Sequence, residues 1–595
     1  MPLSQPSLLD VSWSEKERSL LAELTAICEA NHINVVINPP GGAFARSFAN
    51  STVALDVEHD ESGNFVGCGI LISDSSIVYY FSDIYRLRSL PFHSLAIVAH
   101  NGVSDLDCLR QWGCDVKNEQ LVHDTELFGH IIDSSRKGYG LKKLAEADLG
   151  IVYPSYDDIV GRRTAKVRRT LDRWPVEIVS KYNALDCFVT MKLYNLQVSM
   201  LRSGRETSEG SYFNNLEKPL AGILADMSNR GVRVDLTYLE GLKRELEAQK
   251  RPLEEAIKNE LGNINLNSPK QLLEALNAKE IYPILKGRGS TDKRALQEFK
   301  DNAVVKNLLH FSELDTLLTS FVYPYLERNT EVVHPFFNQC GTRTGRLSCS
   351  NPNLLQIPKK TENGRLVRRM FIPRDGMLMG DCDFGQIEPR VLAHLSKDPV
   401  LCQMFNDGVD FHTFTAERLG ISRDRAKVLN LSVGYRATFK SVQTQLGGTR
   451  EEAQEHINKW WELFPTLRRW QESLIFDSKR SDFCTTLLGR RIKVDGLNDG
   501  NSWKREAAER QLINNITQGS AAEIMKMAMI KIEQDKALFT LGFGLLVQVY
   551  DELLFESPDA EADMEGVQEA MQYAIKLDVP LTVDCKIGDS WATCK

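Results

Sequence analysis

The stretch that most constrains this chain is residues 381–390, Asp-Cys-Asp-Phe-Gly-Gln-Ile-Glu-Pro-Arg. Met377, Leu378 and Met379 before it read as a buried strand, and Val391, Leu392, Ala393 and Leu395 after it carry helical spacing. A carboxylate at the end of a buried strand is costly unless its charge is compensated. A divalent cation held by oxygen ligands would compensate it. A solvated strand-to-helix turn with Asp383 as the N-cap fits the same residues. Only the rest of the chain separates the two.

With 595 residues the chain has material for roughly three to five compact units. Its 42% hydrophobic and 26% charged residues exclude a disordered or fibrous class. The first residues, Met-Pro-Leu-Ser-Gln-Pro, lack the basic-then-apolar pattern of a signal peptide, and no uninterrupted apolar run would cross a bilayer. A cytoplasmic protein with no membrane association is expected. The 12 cysteines show no CxxC pair and no zinc-finger spacing, so reduced, mostly structural thiols are expected. A net charge of −8 argues against a nonspecific nucleic-acid coat, yet binding follows local charge. Two stretches are locally basic: 161–173 (Arg162, Arg163, Lys166, Arg168, Arg169, Arg173) and 359–374 (Lys359, Lys360, Arg365, Arg368, Arg369, Arg374). Either also fits a solvated face.

Residues 15–32 have helical periodicity and 34–38 read as a short strand. Residues 51–58 are β-branched and apolar, which predicts a central strand; Asp56 and Glu58, two apart, then point to one side. Like charges that close repel, and cations would relieve the repulsion. A second buried strand over 95–99 runs into Asn101 and Asp105, and residues 176–186 form a helix with Tyr182 and Asp186 one turn apart. A break is expected near 203–210 and an amphipathic helix up to Arg230; residues 231–235 then turn the chain. A long charged helix follows over 236–261, with Ser268 capping a helix that starts at Pro269 and a second cap at 290–292. Such helices suit a clamp on phosphates, or an ordinary helical subdomain.

In the C-terminal half, TGRLS stands at 344–348. Arg423, Lys427, Leu431 and Tyr435 fall at successive i+4 steps, a slanting helical stripe whose two cations match a polyphosphate or form a basic surface edge. Arg510, Asn514 and Gln518 form another stripe, ending at Gly519. Residues 544–555 read as a hairpin with Asp551 and Glu552 at its turn; the apolar flanks favour a metal site over a solvated turn.

The ordered motifs Asp56-x-Glu58, Asn101-x-x-x-Asp105 and Tyr182-x-x-x-Asp186 resemble those of DEDD-type 3′–5′ exonucleases of the YxxxD branch. TGRLS, DFGQIEPR, RxxxK followed by Tyr435, RxxxNxxxQG and QVYDE together resemble a family A DNA polymerase, the DNA polymerase I type. The resemblance implies an α/β and α+β multidomain chain: an RNase H-like exonuclease domain over 1–205, then a right-hand polymerase domain over 206–595. The thumb is expected at about 236–330, the palm at about 331–400 and 511–595, and the fingers at about 401–510. The layout, without a 5′-nuclease domain, resembles bacteriophage replicative enzymes. The long insertion at 236–330 with which some of them bind thioredoxin is not evident.

The resemblance further implies template-directed DNA synthesis from dNTPs on primer–template DNA by a monomer, with proofreading. Two Mg2+ ions would serve each site, with Mn2+ able to substitute. In the exonuclease, Asp56, Glu58, Asp105 and Asp186 would be ligands and Tyr182 would orient the water. In the polymerase, Asp383, Asp551 and the Phe384 carbonyl would hold metal, with Glu552 supporting them. Arg423, Lys427, His412 and Gln386 would hold the triphosphate, Lys427 protonating the pyrophosphate; Glu388, beside Tyr435, would exclude ribonucleotides. Arg346, Arg510, Asn514, Gln518 and Gln548 would meet the minor groove, where every base pair offers acceptors in similar places. Three positions depart from the family: Leu431 where an aromatic is usual, Arg436 where a glycine follows the tyrosine, and Tyr550 where a histidine precedes the aspartate. Leu431 is expected to alter nucleotide handling. Pro389, in place of a common leucine, fits a first helical turn. The alternatives are an exonuclease whose other half only binds primer–template, and a single-subunit RNA polymerase relative.

Overall fold

The structure is a computed structural model that describes residues 13–40, 46–60, 63–161, 170–202, 209–281, 290–358 and 362–594. Arg162, Arg163, Lys166, Arg168, Arg169, Lys359, Lys360 and most of the break expected near 203–210 lie outside the described residues.

The N-terminal unit is a six-stranded sheet of β1 (Asn34–Ile37), β2 (Thr52–His59), β3 (Phe65–Ile72), β4 (Ile77–Phe81), β5 (Ala96–Ala99) and β6 (Leu121–Asp124). Its order is β1-β4-β3-β2-β5-β6, so β2 is interior as expected. Helices α1 (Glu15–Ala30), α2 (Gly102–Gln111), α3 (Thr125–Ile132) and α4 (Val176–Arg202) surround it. Helix α4 approaches β3 closely because Gly69 carries no side chain: a Cβ there would stand 1.9 Å from Asn183 Oδ1. Gly67 instead leaves room for Tyr80 of β4, whose hydroxyl would stand 1.8 Å from a Cβ. Asp124 ties two helix starts together. Its carboxylate accepts from Gly102 N at 2.7 Å at the head of α2, and from Glu126 N and Leu127 N at 3.0 and 3.1 Å in α3.

Helix α5 (Lys218–Arg230) leads into a short strand where only a turn was expected. Residues Val232–Val234, here β7, pair with β8 (Val332–Val333) and β9 (Phe371–Ile372). The reason is the Val-Arg-Val alternation: Val232 and Val234 bury on one face while Gly231 makes the bend at a φ of 68°. Next come α6 (Leu236–Leu261), α7 (Pro269–Ala278), capped by Ser268, and α8 (Ala303–Leu317). They share an apolar core of their own, around Ile257, Leu276, Val305 and Phe311. Asp292 caps the helical turn Lys293–Gln297, as its position suggested.

A C-terminal sheet combines β10 (Leu378–Phe384), β11 (Gly544–Val549), β12 (Glu552–Ser557) and β13 (Val583–Gly588) in the order β11-β12-β10-β13. Cys382 and Cys585 face each other in the β10/β13 ladder and are joined by a disulfide, which corrects the expectation of reduced thiols throughout. The physical reason is register: strands paired in this alignment bring two distant cysteines face to face. Helix α13 (Ala560–Gln572) packs on this sheet, and α9 (Ile387–Ser396) packs on α12 (Ser502–Gln534); α10 (Phe411–Leu419) and α11 (Arg423–Val433) pack together in an apolar core of their own around Phe411, Leu429 and Trp460. Helix α12 carries the Arg510, Asn514 and Gln518 stripe and continues past Gly519 to Gln534. Gly519 is a contact point, where a Cβ would lie 2.8 Å from Thr486 Cγ2 and 3.2 Å from the Thr344 carbonyl. Among the described residues no helix is long and apolar enough to cross a membrane.

Candidate active sites

On β2, Asp56 and Glu58 project toward α4, where Asp186 sits one turn beyond Tyr182. Oxygens of Asp56, Glu58 and Asp186 come within 4.8 Å of one another, and among the described residues no other His/Cys/Asp/Glu group of three or more converges so closely. Asp105, on the first turn of α2, lies beside them and is buried; its Oδ2 has no hydrogen-bond partner among the described residues. A convergence of hard oxygens with an orphaned buried carboxylate oxygen fits a divalent cation. The electrostatics agree. Burial, and then the charge of Asp186, pushes Glu58 up to about 8 and Asp56 well above the carboxylate range; burial does the same to Asp105, with Asp124 adding to it.

Three further residues hold this centre, and sequence reasoning missed them. Asn183 donates to Asp56 Oδ2 at 2.7 Å and to its carbonyl at 3.2 Å. Tyr153 OH donates to Asp186 Oδ1 at 2.6 Å. Lys142 pairs with the same oxygen, its ammonium 4.1 Å from the Tyr153 ring and 4.3 Å from the Tyr182 ring. Asn183 could have been found inside the Tyr182–Asp186 motif, since its helix position brings it to the same strand. Lys142 and Tyr153 carry no local signal.

The second site forms where β10 ends. Asp383 stands opposite Glu552 on β12 and opposite Asp584 on β13. The Phe384 N–H donates to the Asp551 carbonyl at 2.9 Å, which seats the hairpin turn against the strand end. The N-cap of α9 is Gln386, in a left-handed conformation, and not Asp383, so the capping alternative for that aspartate falls. Pro389 occupies the first turn of α9, where its absent N–H leaves no intrahelical bond unmade. Arg390 clasps the exit of the strand, donating to the Gly385 carbonyl at 2.7 Å and to Thr582 Oγ1 at 2.9 Å.

Glu552 points away from a ligand role. Its carboxylate is buried and accepts from Arg368 Nη1 at 2.8 Å and from Trp591 Nε1 at 2.9 Å, with the guanidinium 4.2 Å above the Trp591 ring. Both of these bonds fall on Oε1 of Glu552; Asp383 and Asp551 are brought to one corner by the backbone bond from Phe384 to Asp551. That donor chemistry also suits a hard divalent ion.

Helix α11 is tethered to this corner at both ends. At its start, Arg423 makes a two-pronged pair with Asp410, at 3.0 and 3.1 Å, and Asp410 also takes Gln386 Nε2 at 2.7 Å. Burial pushes the Asp410 carboxyl up, but its bonds to Arg423 and Thr413 hold it below the usual carboxylate range. Just past its end, Tyr435 OH donates to Glu388, which also receives Arg346. Burial, and then Glu388, raises the Tyr435 phenol far above its ordinary value. Lys427 forms no ion pair among the described residues, and Leu431 is 49% exposed.

Other expected residues stand differently. His412 is buried against Asn430, and burial lowers its pKa, with the charge of Asp410 opposing. Gln548 is buried and donates from its amide to the Tyr550 carbonyl at 2.6 Å. Asn514 and Gln518 lie half-buried on α12, and Arg510 reaches back to Glu506 at 4.0 Å. Arg346 lies 5.8 Å from the Tyr550 ring. Arg436, at the position where the resemblance leads one to expect glycine, has a left-handed backbone with a φ of 58°, the conformation that favours glycine.

The family model described as DNA polymerase family A matches residues 236–593, and that described as 3′–5′ exonuclease matches residues 43–201. The chain is similar to DNA polymerase I of Rhizobium leguminosarum, 32% identical over 536 residues that cover 85% of this chain and 52% of the relative. It is also similar to the thermostable DNA polymerase I of Thermus caldophilus, 37% identical over 404 residues, 64% of this chain and 48% of that one. The chain thus spans about half the length of the curated relatives it matches. Among solved structures it resembles the POL domain of Pol1 from M. smegmatis in complex with DNA primer–template and dNTP. The TM-score is 0.79 and the identity 27%, over 94% of this chain and 100% of that one.

Proposed function

The chain belongs to DNA polymerase family A, and from that premise we propose that it extends a DNA primer on a template from dNTPs and removes misincorporated nucleotides 3′ to 5′. The supporting observation is the double tether of α11: its two ends are fastened to Gln386 and Glu388, the residues that follow the Asp383 strand. These bonds tie a cationic helix to the segment that follows the Asp383 strand.

In this reading residues 1–205 are the exonuclease domain and 206–595 the polymerase domain, with thumb, palm and fingers divided at about 330, 400 and 510. Asp383, Asp551 and the Phe384 carbonyl hold Mg2+ at the polymerase site; Asp56, Glu58, Asp105 and Asp186 hold it at the exonuclease site. The bound ions supply charge neutralisation and a more acidic oxygen nucleophile. Lys427 is the cation available to the triphosphate, and Arg423 joins it on leaving Asp410. Glu388 fills the space beside the sugar, with its carboxylate locked by Tyr435 and Arg346 so that it cannot swing aside. Arg346, Asn514 and Gln518 face the primer–template. Tyr182 orients the water for the exonuclease. Glu552 is a positioning residue that fixes the Asp551 turn through Arg368 and Trp591. Deoxynucleotide selection by Glu388 argues against an RNA polymerase relative, and the intact Asp383, Asp551 and Lys427 against a half that only binds.

Primer extension with dNTPs and, separately, rNTPs tests the reading. Extension with dNTPs alone, abolished by Asp383→Ala, is expected. Extension that survives Asp383→Ala, or equal use of rNTPs, would refute it.

A further inference from the structure

We propose that Lys142 is a resident counter-ion of the exonuclease centre, which a divalent metal must displace from Asp186 before it can bind. The inference rests on the exonuclease reading above and concerns the metal-free state of that site. Three carboxylates converge within 4.8 Å, an arrangement that needs a cation. Among the described residues the cationic side chain that pairs with one of them is Lys142, whose ammonium meets Asp186 Oδ1.

Its position is built, not incidental. The ammonium stands 4.1 Å from the Tyr153 ring and 4.3 Å from the Tyr182 ring, so two aromatic faces box it. Tyr153 fixes the same carboxylate oxygen with a 2.6 Å hydrogen bond. The Lys142 side chain remains 25% exposed, which leaves it a route to solvent, whereas Asp186 is 7% exposed. An ammonium and a divalent cation cannot share one carboxylate oxygen without strong repulsion. Metal entry therefore requires Lys142 to leave, and the strength of its box sets the metal concentration at which the centre loads. The same box keeps the carboxylates from repelling one another apart while the site waits. Lys142 is thus a positioning residue whose effect is on metal affinity.

The test uses the full chain carrying Asp383→Asn and Asp551→Asn, which removes both carboxylate ligands proposed for the polymerase site, and Mn2+ binding read by electron paramagnetic resonance. Adding Lys142→Met is expected to tighten Mn2+ binding at least about 5-fold, and Lys142→Arg, which keeps the charge, to leave it within about 2-fold. On the protein with Lys142 intact, acetic anhydride labelling read by mass spectrometry is expected to rise at Lys142 several-fold when Mn2+ is added. Equal or weaker Mn2+ binding by Lys142→Met, or labelling that is unchanged or reduced by the metal, overturns the proposal. A different result marks failure of the underlying reading: no Mn2+ binding that is lost on Asp186→Asn. Should Lys142→Met not fold, the labelling experiment decides alone.

Discussion

The buried pair of Arg368 and Glu552 carries a sharp prediction. Both side chains are almost wholly enclosed, at 1% and 2% exposure, and their 2.8 Å bond is backed by Trp591. Arg368→Met removes the cation and leaves a carboxylate buried with one N–H donor among these partners. Breaking such a pair costs about 3–5 kcal/mol. The loss should appear locally, in β10 and β12, which the pair pins from one side. Hydrogen exchange of amides in 378–384 and 552–557 should accelerate by roughly a hundred- to several-thousand-fold, since each ~1.4 kcal/mol is tenfold. The double variant Arg368→Met/Glu552→Gln removes the stranded charge, and the amide can still accept from Trp591. It should recover all but about 1–2 kcal/mol. The reasoning is refuted if the single change alters exchange less than about fivefold, or if the double variant exchanges faster than the single one.

Other expectations follow from the same geometry. Gly519→Ala places a methyl against Thr486 and the Thr344 carbonyl and should cost about 1–3 kcal/mol, lowering the Tm and weakening primer–template binding in a titration; an unchanged Tm contradicts the close contact. Tyr182→Phe should lower exonuclease turnover on single-stranded DNA by about 10- to 100-fold with KM and Tm nearly unchanged; equal turnover removes the hydroxyl from the chemistry. In the metal-free protein Glu58 is raised from 4.5 to about 8, so its contribution to folding is present below pH 4.5 and is lost as pH rises through about 8. Metal displaces that proton, so the Tm gain on adding Mg2+ should grow from pH 6 to pH 8; a gain as large at pH 6 contradicts the assignment.

Much of the scaffold was legible because it rests on local chemistry. The alternation of Asp56 and Glu58 placed both carboxylates on one face of β2, and Ser268 followed by Pro269 announced the start of α7. What escaped depends on partners far away in the chain. Lys142 is 44 residues from Asp186, and Arg368 is 184 from Glu552; neither separation leaves a periodic trace. Cys382 and Cys585 met only because two strands paired in one register. His412, placed at the triphosphate by the resemblance, also bonds to Asn430, a partner that no local pattern announces. Val232–Val234 is too short for its alternation to outweigh the turn signal of Gly231.

The central claim is that this chain holds two separate catalytic centres, one built on Asp383 and one on Asp186. The most direct measurement follows a single labelled primer, matched or mismatched at its 3′ end, with wild type, Asp383→Ala and Asp186→Ala. Asp383→Ala should shorten both primers and extend neither when dNTPs are present. Asp186→Ala should extend the matched primer, fail to trim the mismatch and stall on it. Loss of both activities in either variant, or extension by Asp383→Ala, would contradict the account.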